Sequence, residues 1–443
     1  MSIQASTQTG IDSDAVASFL AERQEPAWSV QQRRQAWENF SQMNWPGRRE
    51  EEWLRTDIRL FKLDSFLLPE STGGVPPSLP LSLPPSLLAE GVDLAGSTVS
   101  LDSRPLTSQL DEKWARQGVL FGSLDRILAE HGDLLRPYLM TRAVDPAFDR
   151  FAALHAAVWS GGQVLYVPRG VVIDAPVHAL SAMSEGGSDF GHTLVILEEG
   201  AEATFLSEQA SVPGASKGFH CGAIELFVGP RARLRYVNLQ DWADGVWHFG
   251  HQKALVDRDA SLQWTVAAMG SRLTKVNQHV LLTGAGAETQ VNGVLFTEGK
   301  QHLSYHTLQH HKVGNCRSDF LYKSALQDQS RTVWRGMIKV DKDAQKTDGY
   351  QRNDNLLLST QARADSIPGL EIEADDVRCT HGSTSGKVDE ELIFYACCRG
   401  FTRQEATRMI VTGFFQQVLD RITIESVRAA LGHAIARRVR EYE

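Results

Sequence analysis

Residues 229–260 read GPRARLRYVNLQDWADGVWHFGHQKALVDRDA, and the reading of this stretch decides the fold. A turn at Gly229-Pro230-Arg231-Ala232 opens it, the run from Arg233 to Leu239 alternates, and a second turn closes it at Asp259-Ala260. The arrangement recurs outward in both directions. An alanine stands just after a turn and just before a strand-like run at Ala175, Ala201, Ala232, Ala260, Ala287 and Ala344, and Cys316 fills the one vacant slot. The gaps are 26, 31, 28, 27, 29 and 28 residues. A fixed period in this range means stacked, near-identical units rather than one closed core. A small residue at a recurring corner is what a tight turn against the coil below requires. The expected fold is mainly β with α: a right-handed parallel β-helix (solenoid) core flanked by N-terminal and C-terminal helical segments.

The 443 residues allow two or three domains and an ample core. The net charge of -9 argues against non-specific binding to nucleic acid or an anionic membrane, which needs a basic excess. No apolar run approaches the ~20 residues that span a bilayer. Met1 to Gly10 is polar and carries no targeting pattern. The five cysteines, Cys221, Cys316, Cys379, Cys397 and Cys398, are odd in number and scattered, so no disulfide framework is expected and a reducing cytoplasm is.

Along the chain, 1–68 reads as an N-terminal helical region, with Asp12 or Ser13 as a cap and Pro26 as an interruption. Six prolines and Gly73-Gly74 make 69–90 a linker. A mixed connecting region covers 91–160, where Val119 to Leu135 regains helical spacing. The β-helix core is placed at 161–378 and a C-terminal helical domain at 379–443, with Thr402 and Glu405 spaced as a capping box.

Four strings could carry chemistry. Cys379 and His381 are two apart; on a strand both side chains lie on one face, where a thiolate and an imidazole suit iron, zinc or an iron–sulfur fragment. On spacing alone a buried cysteine beside a hydrogen-bonded histidine is the favoured reading, and a metal would need a third ligand from elsewhere. The string from His381 to Val388 resembles a phosphate loop but has Val388 where the magnesium-binding hydroxyl belongs, so a Gly/Ser turn is favoured and no ATP site is expected. His302, His306 and His310 share a strand face but are too far apart to bind one ion, which favours a ladder of partly buried histidines; Cys316 is explained by its repeat slot. Cys397 and Cys398 point about 100° apart on a helix, so burial of at least one is expected.

Together these strings lead to a family. Asn355 to Ser359, Ile367-Pro368-Gly369-Leu370, Ala374 to Val377, Cys379-Thr380-His381-Gly382, Phe394-Tyr395, Arg399-Gly400 and Gly413-Phe414 resemble the SufB/SufD family of iron–sulfur cluster assembly proteins. So do Gly336 to Val340, Ala344 to Asp348, and Glu50-Glu51-Glu52-Trp53 with Thr56-Asp57 near the N-terminus. The SufD branch fits better, because SufB-like chains carry a cysteine directly after the Phe-Tyr pair and this chain has Ala396 there. The resemblance implies a non-catalytic scaffold subunit of the SUF system, cytoplasmic, pairing with a SufB-like paralogue and docking a SufC-like ATP-binding-cassette ATPase through its C-terminal helices. Leu419 is the apolar contact expected in that docking. Exposed solenoid edges also allow homodimerisation of the isolated chain. Cys379 and His381 would bind iron or a transient iron–sulfur cluster at the partner interface. Glu425 joins the candidate cofactor-binding residues because SufB-like chains carry a functional glutamate there.

Two other classes compete. A β-helix carbohydrate-active enzyme needs paired carboxylates on an exposed face, and no convincing pair is present. A stand-alone metal-binding module would rest on the histidine cluster.

Overall fold

A computed structural model of the protein describes residues 10–69 and 82–439. The readings of Met1 to Gly10 and of the proline-rich segment therefore fall largely outside the described residues.

Two sheets of stacked parallel strands form the core. One runs through Gly96–Leu101, Val177–Met183, Glu202–Ser211, Arg233–Trp242, Ser261–Gly270, Glu288–Thr297, Arg317–Leu326, Thr347–Leu357 and Val377–Lys387. The other runs through Gly162–Val167, His192–Leu197, Lys217–Val228, Gly245–Val256, Leu273–Leu282, His302–His311, Arg331–Val340 and Arg363–Ile372. From Val177 onward the chain alternates between the sheets, so each coil adds one strand to each. Antiparallel strands, Arg104–Leu110 and Leu120–Ser123, close the sheets at the N-terminal end. The core is a parallel β-solenoid with helices at both ends of the chain, as the repeat predicts.

The repeating alanine has a mechanical role. Its N–H donates to the carbonyl three residues back, as in Ala201 to Glu198 (3.0 Å), Ala232 to Gly229 (3.0 Å) and Ala260 to Asp257 (3.1 Å). The residue before it turns the chain in the left-handed region, with φ of 69° at Gly200, 57° at Arg231, 55° at Asp259, 76° at Gly286 and 60° at Asn315. Its carbonyl then accepts from the next coil: Arg233 N–H on Ala201, Ser261 on Ala232, Glu288 on Ala260 (each 2.9 Å), Arg317 on Ala287 (3.0 Å) and Asp348 on Cys316 (3.0 Å). At Ala201, Ala232, Ala260 and Ala287 the slot therefore joins a tight turn to the inter-coil ladder. Ala201, Ala232, Ala260, Ala287, Cys316 and Ala344 are buried, which leaves room for little beyond a methyl or a thiol.

Inside the solenoid the aromatic rings climb from coil to coil. Phe205, Tyr236 and Trp264 meet edge to face at 5.4 and 5.7 Å between centroids, and such contacts add about 0.5–1.5 kcal/mol each beyond burial. The strands are longer than their apolar runs. Lys217–Val228 carries His220 in its first half, buried and held by Asp189 at 2.9 Å, so buried polar positions hide part of the strand from a hydrophobicity reading.

Helices Ser13–Ala21 and Ala27–Gln42 pack with Arg150–Val158 against the second sheet. Asp12 caps the first through Ala15 N–H at 2.8 Å, and Pro26 stands at the N-cap of the second. Val119 to Leu135 is not one helix: Leu120–Ser123 is a strand and the helix starts at Leu124. Pairing with Gly162–Val167 decides that split, because tertiary context overrides local spacing. At the C-terminus, helices Glu390–Cys398, Arg403–Leu419 and Glu425–Arg438 follow, and the Thr402–Glu405 capping box is formed.

Residues 379–443 do not begin as helix. The last strand continues to Lys387, paired in register with Thr347–Leu357. Cys-Thr-His-Gly-Ser-Thr-Ser-Gly has little intrinsic strand preference and becomes strand because a preceding coil offers its ladder. The expected Gly/Ser turn before Asp389 is thus part of a strand, and it forms no phosphate loop.

Candidate functional site

The solenoid ends on two strands paired on one side only: Arg363–Ile372 in one sheet and Val377–Lys387 in the other. Unpaired edge N–H and C=O groups of this length are a template for another chain. Pro368 is tolerated in the first of them because an edge strand has one side free of the ladder.

Cys379 and His381 lie on the Val377–Lys387 edge, opposite Gly349 and Gln351 of the preceding coil. With period-2 alternation they share one face, as expected for a strand. Gly349 makes room for the thiol: a methyl there would lie 3.3 Å from Cys379 Sγ and 3.2 Å from Ile338. Val377 and Cys379 pack on Ile338, Val340, Ala344 and Ala374 at the end of the core. Burial pushes the Cys379 thiol above its ordinary value, with the Asp348 charge acting in the same direction and a Gly349 backbone hydrogen bond against both. His381, two residues on, is exposed. Its register partner Gln351 is buried and donates through Nε2 to the carbonyls of Gly336 (3.3 Å) and Gly369 (3.1 Å).

The pair does not make a metal site by itself. Among the described residues no group of three or more His, Cys, Asp or Glu is placed to hold a metal ion. The geometry offers one soft and one borderline ligand on an open edge, so a bound metal or cluster would need further ligands from another molecule. Glu425 does not join them. It is exposed in the first turn of Glu425–Arg438, a helix whose Val427, Leu431, Ala434 and Ile435 pack on the outer face of the solenoid.

The histidine ladder takes structural partners. His306 Nδ1 lies 2.6 Å from Glu52 Oε2 and His310 Nε2 lies 2.7 Å from Asp341, while His311, on the opposite face, meets Ser318 at 2.8 Å. The stand-alone metal module finds no support in this arrangement. Cys316 is buried in its slot, as its place in the repeat implies.

Two expectations are overturned. Cys397 and Cys398 are both exposed, because Glu390–Cys398 buries Ile393 and leaves the rest of its surface open. Leu419 is 3% exposed and belongs to the apolar layer between its own helix and the solenoid, with Val411, Phe415 and Val418. The exposed apolar side chains of this region are instead Leu392, Phe394 (71%), Tyr395 (58%), Phe401 and Met409. Helical periodicity identifies an apolar stripe without saying which surface it covers.

The grip of Glu52 is the contact that sequence reading missed. Its carboxylate meets His306, Arg335 and, at 3.8 Å, the buried Lys275. Trp53 beside it is buried against Phe151 and Phe249, with ring centroids 5.5 and 6.2 Å away. The string Glu50-Glu51-Glu52-Trp53 was the available signal, and only its packing reveals its role.

Comparison with known proteins matches this architecture. The family profile described as SUF system FeS cluster assembly, SufBD core domain, matches residues 180–414, more than half of the chain. The SufBD protein N-terminal region matches residues 100–179. Curated iron–sulfur cluster assembly SufBD family proteins from Staphylococcus saprophyticus and Staphylococcus epidermidis are each 28% identical over 427 residues, covering 95% of this chain and 91% of theirs. One from Staphylococcus aureus is 27% identical over the same span. The chain belongs to the SufBD family of iron–sulfur cluster assembly proteins.

Proposed function

We propose that the chain is a SufD-like, non-enzymatic scaffold subunit of the SUF assembly complex, working in the cytoplasm. Its open solenoid end pairs with a SufB-like paralogue, and Cys379 and His381 hold iron or a nascent iron–sulfur cluster as cargo at that junction. The observation that carries this reading is the placement of a thiol and an imidazole on one face of an unpaired terminal strand. A half-site on a free edge suits a cargo shared between two chains. The pairing surface extends from the two edge strands, with Leu370 and Ile372 exposed, onto Leu392, Phe394 and Tyr395, since only Val388 and Asp389 separate the last strand from their helix. The same edge would let the isolated chain form a homodimer.

A SufC-like ATP-binding-cassette ATPase would dock on the outer surface of the C-terminal helices, where Met409 is 54% exposed. ATP would be bound by that partner and not by this chain. Glu425, exposed in the first turn of its helix, would act only where a partner covers it. The absence of a cysteine at Ala396 supports the SufD-like role. Among the described residues no helix is long and apolar enough to cross a membrane.

The test is reconstitution. The chain is mixed with SufB-like and SufC-like homologues, the mass is read by native mass spectrometry, and iron is measured after anaerobic purification. A ternary complex that retains iron is expected; a persistent monomer under all conditions overturns the reading.

A further inference from the structure

Cys397 and Cys398 end the Glu390–Cys398 helix, and both thiols are exposed, whereas Cys221 and Cys316 are buried and Cys379 is half-buried. On a helix, residues three and four apart are surface neighbours. Phe394, 71% exposed, therefore has Cys397 and Cys398 as its two neighbours one turn on, and Tyr395 has Cys398. The thiols stand within an apolar surface that water covers in the free chain. Adjacent helical side chains diverge by about 100°, and cysteines whose Cβ vectors point apart cannot be bridged without moving the backbone. The helix thus keeps them as two separate thiols.

We propose that Cys397 and Cys398 form a thiol-modification site for low-molecular-weight disulfides such as oxidised glutathione, and that modification blocks the surface around Phe394 from pairing. The block rests on the pairing reading above; the modification site does not. In the reaction a cysteine thiolate attacks one sulfur of the disulfide. A protein–glutathione S–S bond forms, the glutathione S–S bond breaks, and the second glutathione leaves as thiolate and takes up the proton lost by the cysteine. The protein sulfur is oxidised and the leaving glutathione reduced, and excess thiol reverses the exchange. The adduct brings a charged tripeptide to an apolar surface, and burying it against a partner would strand its carboxylates.

Two measurements on the full chain test the proposal. Titration of the native, reduced chain with Ellman's reagent is expected to find two rapidly reacting thiols, one lost in Cys397→Ser and one in Cys398→Ser, with Cys221 and Cys316 reacting only after denaturation. No rapid thiol, or rapid thiols unchanged in both variants, overturns the site. Treatment with oxidised glutathione is then expected to weaken pairing with a SufB-like homologue roughly tenfold or more, which corresponds to about 1.4 kcal/mol. It should leave the affinity of the Cys397→Ser/Cys398→Ser chain at its untreated value. Equal pairing by the modified and reduced wild-type chains overturns the block while the pairing reading stands. Failure of the reduced chain to pair overturns the pairing reading and the block together, and the thiol count still decides the site.

Discussion

Glu52 Oε2 lies 2.6 Å from His306 Nδ1, across 254 residues of sequence, and this contact pins the N-terminal region to the solenoid. Burial by itself would raise the Glu52 carboxyl. The His306 hydrogen bond and the charges of His306, Lys275 and Arg335 outweigh it and bring the group down to about 2. A carboxyl lowered in this way stabilises the fold above its unfolded value, near 4.5, and loses that contribution as pH falls toward 2. Glu52→Ala removes the counter-charge of buried Lys275 and is expected to cost about 2 kcal/mol, a figure held down by the partial exposure of the glutamate. Urea unfolding followed by circular dichroism checks it, and a cost below the error of the fit would show that Glu52 does not anchor the segment.

Acid should destabilise the solenoid before it reaches the carboxylates. Burial, the leading cause for each ring, takes His279 down to about 3 and His302, His306 and His311 to about 4. Between these values and 6.5 the unfolded chain binds protons that the folded chain does not, so stability rises with pH across that window. The thermal midpoint is expected to fall steeply from pH 6.5 to 4 and to change little from 7 to 8. A flat profile between 6.5 and 4 would mean that these rings are hydrated.

The repeat slot should tolerate Cys316→Ala within about 1 kcal/mol, because the methyl fills the corner used in the neighbouring coils. Ala260→Leu places extra methylenes in a closed turn and is expected to cost about 1–3 kcal/mol. Equal denaturation midpoints for the two variants would contradict a sterically closed corner.

His381→Ala is expected to lower iron in the anaerobically purified complex without changing the mass of the complex, since the ring is exposed and anchors nothing. Cys379→Ser should do the same. Because burial raises the Cys379 thiol, iron binding must displace its proton, so retention should increase with pH from 6.5 to 8.5. Unchanged iron in both variants would remove the assigned cargo role.

Leu419→Asp is expected to unfold the C-terminal layer, at a cost of roughly 3 kcal/mol or more for a charge among apolar neighbours. Met409→Asp should leave the thermal midpoint within about 1 °C and weaken capture of a SufC-like ATPase. If Leu419→Asp kept its midpoint and lost only the ATPase, the helix would be facing outward.

The sequence by itself determined the repeat, the strand texture of the coils, the capping box at Thr402 and the shared face of Cys379 and His381. Each depends on short-range rules: turn chemistry, alternation, and side-chain oxygen to backbone N–H bonding. Tertiary structure decided what those rules leave open. The ladder of the preceding coil makes a strand of Cys379 to Lys387, although a Gly/Ser string has no such preference. Packing turns Leu419 inward and leaves Phe394, Cys397 and Cys398 outside, because helical periodicity fixes an apolar face but not the surface it meets. Burial gives Glu52 its partners 223 and more residues away, since charge pairing across a fold depends on distances that no local window of sequence contains.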